Sequence, residues 1–509
     1  MSNLEVRDFI ISKINEIQNR LKVDNKDPNL HNSLGILLEK LGRVDSAIES
    51  YKNAIRCDER FVKAYNNIGV ILYKQREYKK AVEIFKLSLK QDDKFISTYI
   101  NIGAACNRAK MYEDGKNYLL KAIELDSKNS GAYNNLGNIY NKLKEHKKAL
   151  YTHKKAIELD KLSASNHANI AISYKNLNRY KDAIRAFKKA IELDPNFVNA
   201  HFDLATTYLK IGDYKRGFKE YEWRFKKEEM KPILYNLKEI FKKPKFTLKS
   251  PKKGKTLLLY SEQGYGDILQ FSRFVKELKR RYPKLHIKVE VREALKSLFK
   301  KQDFFDDVIA RGEELGEFDF HYPLMSLAHL LKIEYKELPM HSSYINIDGD
   351  FGLDLDRDRV NIGVVWSASI TGESYEGKVF SLRYFEPLMR DKRVRLYSLQ
   401  VGDSKEIKNY TEDEIVDLED RLKSFEDTAM AINELDLIIT CDTSVAHLAG
   451  AMGKECYVIL QKDADWRWGE EKSKTIWYPS IKMIRQSKQD DWDSAFKKLY
   501  KEIKKRSRR

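Results

Sequence analysis

The chain has 509 residues, 42% hydrophobic and 33% charged, with a formal net charge of +18. That apolar content excludes a disordered chain, and at roughly 100–200 residues per domain the length predicts about three domains. Lys is spread along almost every amphipathic segment, so the charge reads as a lysine-rich surface, and no nucleic-acid partner is expected. The opening residues MSNLEVRDFI carry acidic groups and precede no long apolar run, so neither a secretory leader nor a spanning helix is expected. Cys57, Cys106, Cys441 and Cys456 stand alone, without metal-like spacing. They fit core thiols in a reducing cytoplasm, which is the expected location.

Residues 1–27 predict a capping helix with Phe9, Ile10, Ile14, Ile17 and Leu21 on one face. A repeat of fixed period follows. Gly35, Gly69, Gly103 and Gly137 step by 34, and Ala171 and Ala205 continue the series. Twelve residues after each comes another small residue: Ala47, Ala81, Gly115, Ala149, Ala183 and Gly217. Four later comes a large one: Tyr51, Phe85, Leu119, His153, Phe187 and Tyr221. Small residues let two helices cross closely, and the large residue fills the groove beside them. The pattern resembles the tetratricopeptide repeat (TPR) family over six units, residues 28–226, and implies an α-solenoid.

Asn67, Asn101, Asn135 and Asn169 also step by 34, on the first helix of each unit. A stack of carboxamides, each donor and acceptor, can grip an extended peptide backbone without reading its sequence. The array is similar to the asparagine ladder of the O-linked N-acetylglucosamine transferases, which implies a protein acceptor held in the groove. The competing reading is local packing or solubility.

After residue 226 the period stops. Residues 227–254, with Pro232, Pro244 and Pro251, predict a linker or docking segment. Apolar strands then alternate with amphipathic helices. Residues 256–260 form a strand, 261–267 a Gly-bearing turn and 268–280 a helix, with a further strand at 287–291. A second set follows, with strands at 361–366, 396–400, 437–440 and 456–460. The alternation predicts parallel sheets in two Rossmann-type lobes, 255–350 and 351–509, in the GT-B arrangement. The tail KKLYKEIKKRSRR at 497–509 reads as a frayed helix end.

The stretches SEQGYGDILQFSRF, GVVWSAS, LDLIITCDTSVAHLAGAMG, DWRWGEEKSKTIWYPS and MIRQ resemble the heptosyltransferase-like glycosyltransferases. With EYEWRF at 220–225 they are similar to the bacterial branch fused behind TPR repeats, whose understood members modify flagellin. The resemblance implies a nucleotide-sugar donor and inverting transfer to Ser or Thr of a protein, flagellin being one candidate.

The turn from Asp442 to His447 opens a helix at 446–452, whose unpaired N–H groups suit a phosphate. Thr443, Ser444 and Val445 are therefore the expected phosphate cradle, with Asp442, His447, Gly264 and Gly266 lining the donor site. Capping by Asp442 or Thr443 is the structural alternative. Lys378 stands where the resembled family has a basic residue meeting phosphate, so no metal and no cofactor is expected. Asp267 matches the family's base for the acceptor hydroxyl, and the competing reading makes it the N-cap of the next helix. The cluster Trp466, Arg467, Trp468, Trp477 and Tyr478 reads as packing, and Asp354 and Asp356 as solvated surface. Two other functions stay open. One is a scaffold with an inactive transferase domain. The other is a glycolipid transferase, against which the Asn array argues.

Overall fold

The computed structural model describes residues 3–338, 343–368, 377–402, 405–471 and 473–506. They form two compact units, Met1–Ala200 and His201–Arg509. None of the described helices is long and apolar enough to cross a membrane.

The first unit opens with α1 (Asn3–Val23). Antiparallel pairs follow: α2 (Pro28–Lys40) with α3 (Val44–Cys57), α4 (Val62–Lys74) with α5 (Tyr78–Gln91), and α6 (Ile96–Arg108) with α7 (Tyr112–Leu125). Two more are α8 (Ser130–Lys142) with α9 (His146–Leu159), and α10 (Ala164–Asn176) with α11 (Tyr180–Leu193). The small-large spacing is what closes each pair. A Cβ on Gly35 would lie 2.5 Å from the Tyr51 ring, one on Gly69 2.4 Å from Phe85, and one on Gly137 2.4 Å from His153. Each pair turns through a residue of positive φ, again at period 34: Gly42, Arg76, Lys110, Lys144, Asn178 and Gly212. This is the left-handed position after a helix end that favours glycine. In place of an aromatic ring, α9 buries His153, whose Nδ1 pairs with Ser173 Oγ at 2.8 Å and Nε2 with the Asn134 carbonyl at 3.2 Å. Burial pushes this imidazole down to about 4.

The division between the units falls inside α12 (Val198–Lys210). Ala205 and Leu209 of α12 share a core with Tyr214, Phe218 and Tyr221 of α13 (Tyr214–Tyr221), and with Phe271, Trp466 and Trp477. Residues after α13 dock as well. Beyond the short α14 (Lys231–Asn236), Leu237 and Ile240 pack on Leu258, Tyr260 and Phe318, and the Phe246 N–H donates to the His321 carbonyl at 2.9 Å.

Two all-parallel sheets organise the second unit. The first has the order β3-β2-β1-β4, from β1 (Thr256–Tyr260), β2 (His286–Val291), β3 (Asp307–Ala310) and β4 (Phe320–Pro323). The second has the order β10-β9-β8-β5-β6-β7. Its strands are β5 (Val360–Val365), β6 (Val394–Ser398), β7 (Val416–Asp417), β8 (Leu437–Thr440), β9 (Cys456–Leu460) and β10 (Ile481–Arg485). The central runs β1, β8 and β9 are almost wholly apolar because helices cover both faces of such a sheet. Those helices are α15 (Tyr265–Arg281), α16 (Glu293–Lys300), α17 (Leu327–Leu330), α18 (Glu386–Met389), α19 (Phe425–Glu434), α20 (Ser444–Met452) and α21 (Trp492–Arg506).

Both sheets reverse strand order once, at β1/β4 and at β5/β8. In open parallel sheets, ligands sit beyond the strand C-termini at such points. The basic tail differs from its expected frayed end. α21 runs to Arg506 and buries Phe496, Leu499 and Ile503 in the core of the second sheet, because its apolar residues recur at helical spacing.

Candidate functional site

The turn after β1 and the turn after β8 meet, since α15 and α20 pack directly on each other. The contact needs a residue without a side chain. A Cβ on Gly266 would lie 2.7 Å from Cδ2 of His447. His447 is itself buried, ring-stacked on Trp468 with centroids 5.3 Å apart, and Nδ1 pairs with the Tyr478 hydroxyl at 3.0 Å. Burial pushes its pKa down to about 4, so it is neutral at physiological pH.

The turn leading to Asp267 is braced from below. Glu262 is wholly buried, and its Oε1 accepts from Arg224 Nη2 at 2.6 Å. Arg224, equally buried, also donates to Glu222 at 2.8 Å and to Ser326 Oγ at 2.8 Å. Burial pushes the Glu262 carboxyl up, against the pull of Arg224. On the other side, Arg311 reaches Glu290 at 3.1 Å and donates to the Ser261 carbonyl.

Asp267 is not the N-cap. α15 begins at Tyr265 with Gly264 as cap, and Asp267, at the third helical position, turns back to accept from the Gly264 N–H at 3.3 Å. Its other oxygen forms an ion pair with Arg467. Arg467 also holds Asp465 at 2.8 Å and lies 4.4 Å from the centre of the Trp466 ring, and its Nε–H is buried without a hydrogen-bond partner. Asp465 is held down at about 2: Arg467 and Lys378 overcome the cost of its burial.

Asp442 does not cap α20 either. Its oxygens accept from Lys378 Nζ at 2.9 Å and from Trp468 Nε1 at 2.8 Å. Burial works against the Lys378 ammonium, but Asp442 and Asp465 outweigh it and hold the group charged. α20 starts with Thr443 as N-cap and with no side-chain hydrogen bond to its first amides. The Thr443 hydroxyl pairs instead with that of Thr440 at 2.9 Å. Ser444 is partly exposed, while Val445 is buried. Gly264, Gly266, Asp267, Lys378, Asp442, Thr443, Ser444 and His447 are thus brought together at the ends of β1 and β8. The aromatic cluster is packing: Trp466, Trp468, Trp477 and Tyr478 are all buried. Arg467 is the site residue that sequence reasoning placed among those rings rather than on Asp267. Among the described residues no three His, Cys, Asp or Glu are gathered as a metal would need.

The Asn residues of the first unit are tied along the repeats. Asn67 Nδ2 donates to Asn32 Oδ1 at 2.9 Å, Asn101 to Asn66 at 2.9 Å and Asn169 to Asn134 at 3.1 Å. Each partner lies 35 residues earlier. For Asn135 that position is Ile100, which offers no side-chain acceptor.

Family comparison agrees with the helical pairs. Residues 40–76 and 173–212 match a TPR repeat model, and residues 62–95, 96–129 and 130–161 match tetratricopeptide repeat models. The N-terminal repeats are tetratricopeptide repeats. Among solved structures, the TPR region is similar to a chain of the APC/C hetero-tetramer Cut9–Hcn1, at 18% identity and a TM-score of 0.39, over 45% of this chain and 45% of that one. That match spans less than half of the other chain. YrrB, described as a TPR protein with an unusual peptide-binding site, matches at 20% identity and 0.30, over 36% of this chain and 95% of its own. A thermophilic TPR protein of Thermus thermophilus matches at 20% and 0.32, over 36% and 99%. No curated protein matches this chain.

Proposed function

We propose that the second unit is a glycosyltransferase that moves a sugar from a nucleotide-sugar donor to a Ser or Thr of a protein, with inversion, and that the TPR repeats hold that protein. The observation that carries this reading is the meeting of two helix N-termini at the order-reversal points of two parallel sheets, with Asp267 on one and Lys378 beside the other.

In this reading the amides at the start of α20 and Lys378 hold the donor phosphate. Asp267 takes the proton of the acceptor hydroxyl, the acceptor oxygen bonds to the anomeric carbon, and the carbon–oxygen bond to phosphate breaks, its electron pair leaving with the phosphate. Positive charge placed where negative charge develops is the main catalytic term. Neutral His447, buried beside Gly266, keeps the two turns in register and takes no proton. The Asn135 carboxamide, lacking an Asn partner one repeat earlier, is the best-placed group for an acceptor backbone. Flagellin is a candidate acceptor.

Thermal shift against a panel of nucleotides and nucleotide-sugars tests the reading, because a ligand of the native state raises the melting temperature. At least one nucleoside mono- or diphosphate should stabilise the protein, equally with and without EDTA, and Lys378→Ala should abolish the shift. No shift with any nucleotide would overturn the reading.

A further inference from the structure

The site as proposed contains a conflict of charge. Three carboxylates, Asp267, Asp442 and Asp465, face two cations, Lys378 and Arg467, and every one of the five is engaged in an ion pair. A phosphate-bearing donor adds further negative charge to a cluster that already carries an excess of it. The amides at the start of α20 supply part of the hold, and a cation that changes partner supplies the balancing charge.

Arg467 is built for that exchange. Its guanidinium divides between Asp465 and Asp267, and Nε–H stays buried without a partner, so a planar donor fork already has one arm to spare. Such a fork fits a phosphate in two-point fashion as well as a carboxylate. The Trp466 ring under the guanidinium holds its plane while the partner changes. Asp465 stays charged and keeps the arginine at the site. Lys378 is less suited: Asp442, its partner, is also fixed by Trp468.

We propose that Arg467 is a partner-exchanging positioning residue: it binds Asp267 before the donor arrives, and the donor phosphate takes it over, leaving Asp267 free to accept the acceptor's proton. The inference rests on the glycosyltransferase reading. While Arg467 holds its oxygen, Asp267 cannot present that oxygen to an incoming hydroxyl, so its access to the acceptor becomes conditional on donor binding. Bonds are made and broken as in the transfer step above, with Arg467 joining Lys378 opposite the departing phosphate oxygen.

Inorganic pyrophosphate, titrated calorimetrically into the full chain, tests the exchange through a double-mutant cycle. Asp267→Asn should tighten pyrophosphate binding by about 5–50-fold, because Arg467 no longer has to leave a carboxylate. Arg467→Gln should weaken binding at least tenfold. In the Arg467→Gln background, Asp267→Asn should change affinity less than twofold. An equal gain in both backgrounds would mean that Asp267 acts only through its general charge, and would overturn the inference while leaving the glycosyltransferase reading in place. Failure of the wild-type chain to bind pyrophosphate would overturn the inference, whereas the glycosyltransferase reading falls only if no nucleotide raises the melting temperature either. Melting curves establish that each variant is folded. If Arg467→Gln is not, Arg467→Lys replaces it: lysine keeps the charge but not the fork, so the gain from Asp267→Asn must still shrink, and an undiminished gain overturns the proposal.

Discussion

Gly266 and His447 are in contact across the two turns that build the site, and an added methyl on the glycine would stand 2.7 Å from the imidazole. Gly266→Ala must therefore shift α15 against α20. Overpacking of this kind costs about 1–3 kcal/mol. Gly264 is the control, because its Cβ would meet only Asp267 Oδ2, at an ordinary 3.6 Å. Chemical denaturation should show a larger loss for Gly266→Ala than for Gly264→Ala, where only the poorer capping by alanine is felt. Equal stability of the two variants would contradict the contact.

Asn101 and Asn135 occupy the same phase of the TPR array but differ in what they bond. Asn101→Ala removes an inter-repeat hydrogen bond and should cost about 0.5–1.5 kcal/mol. Asn135→Ala should leave stability almost unchanged. If the repeats hold a protein acceptor, Asn135→Ala should weaken that binding without moving the melting temperature. Pull-down and calorimetry with an acceptor protein, alongside melting curves, separate the two effects.

Lys110 and Lys144 sit at φ of 62° and 63°, where the corresponding residues of other repeats are Gly42 and Gly212. A non-glycine residue there carries a strain of about 1 kcal/mol. Lys110→Gly and Lys144→Gly should each stabilise the first unit by up to that amount in urea denaturation. A loss of stability would contradict the assignment of these turns.

His153 should make the first unit acid-sensitive. Its folded pKa is about 4, against about 6.5 for an exposed imidazole. Between those values the unfolded chain binds the extra proton, so stability is complete above about pH 6.5 and falls as pH drops toward 4, by up to about 3 kcal/mol. Phe187 fills the same place in the next repeat, so His153→Phe should reduce the acid loss. His447, with the same depressed pKa, should add a loss of the same sign in the second unit. Melting temperatures at pH 7.5 and pH 5 check this, and an acid loss unchanged in His153→Phe would refute it.

The helical repeats could be read from the sequence because their packing is local. Residues 16 apart, such as Gly35 and Tyr51, touch within one hairpin, so their spacing shows directly. β1 was equally plain as a run of buried apolar residues. The inter-repeat bonds were legible in principle, since in the doubled Asn66–Asn67 one asparagine pairs with the repeat before and the other with the repeat after. Arg467 was not legible. It meets Asp267 from 200 positions away, and nothing local distinguishes it from the rings around it. The helix starts were misplaced for a related reason. Asp267 and Asp442 both suit a cap by residue type, but distant cations and Trp468 claim their oxygens. β3, β4, β7 and β10 escaped notice because charged, polar or proline residues such as Asp307, His321, Pro323, Asp417, Lys482 and Arg485 break their apolar runs.

The buried pair of Arg224 and Glu262 governs where the chain can be cut. A truncation that begins after residue 226, the end of the sequence repeat, would discard Arg224 and leave the Glu262 carboxylate alone in the interior. Orphaning one member of a buried ion pair costs about 3–5 kcal/mol. It would also strip Tyr214, Phe218 and Tyr221 from Trp466 and Trp477, uncovering an apolar face prone to aggregation. The last helical pair is therefore structural inheritance of the second unit, and a soluble fragment of that unit has to start no later than about residue 198.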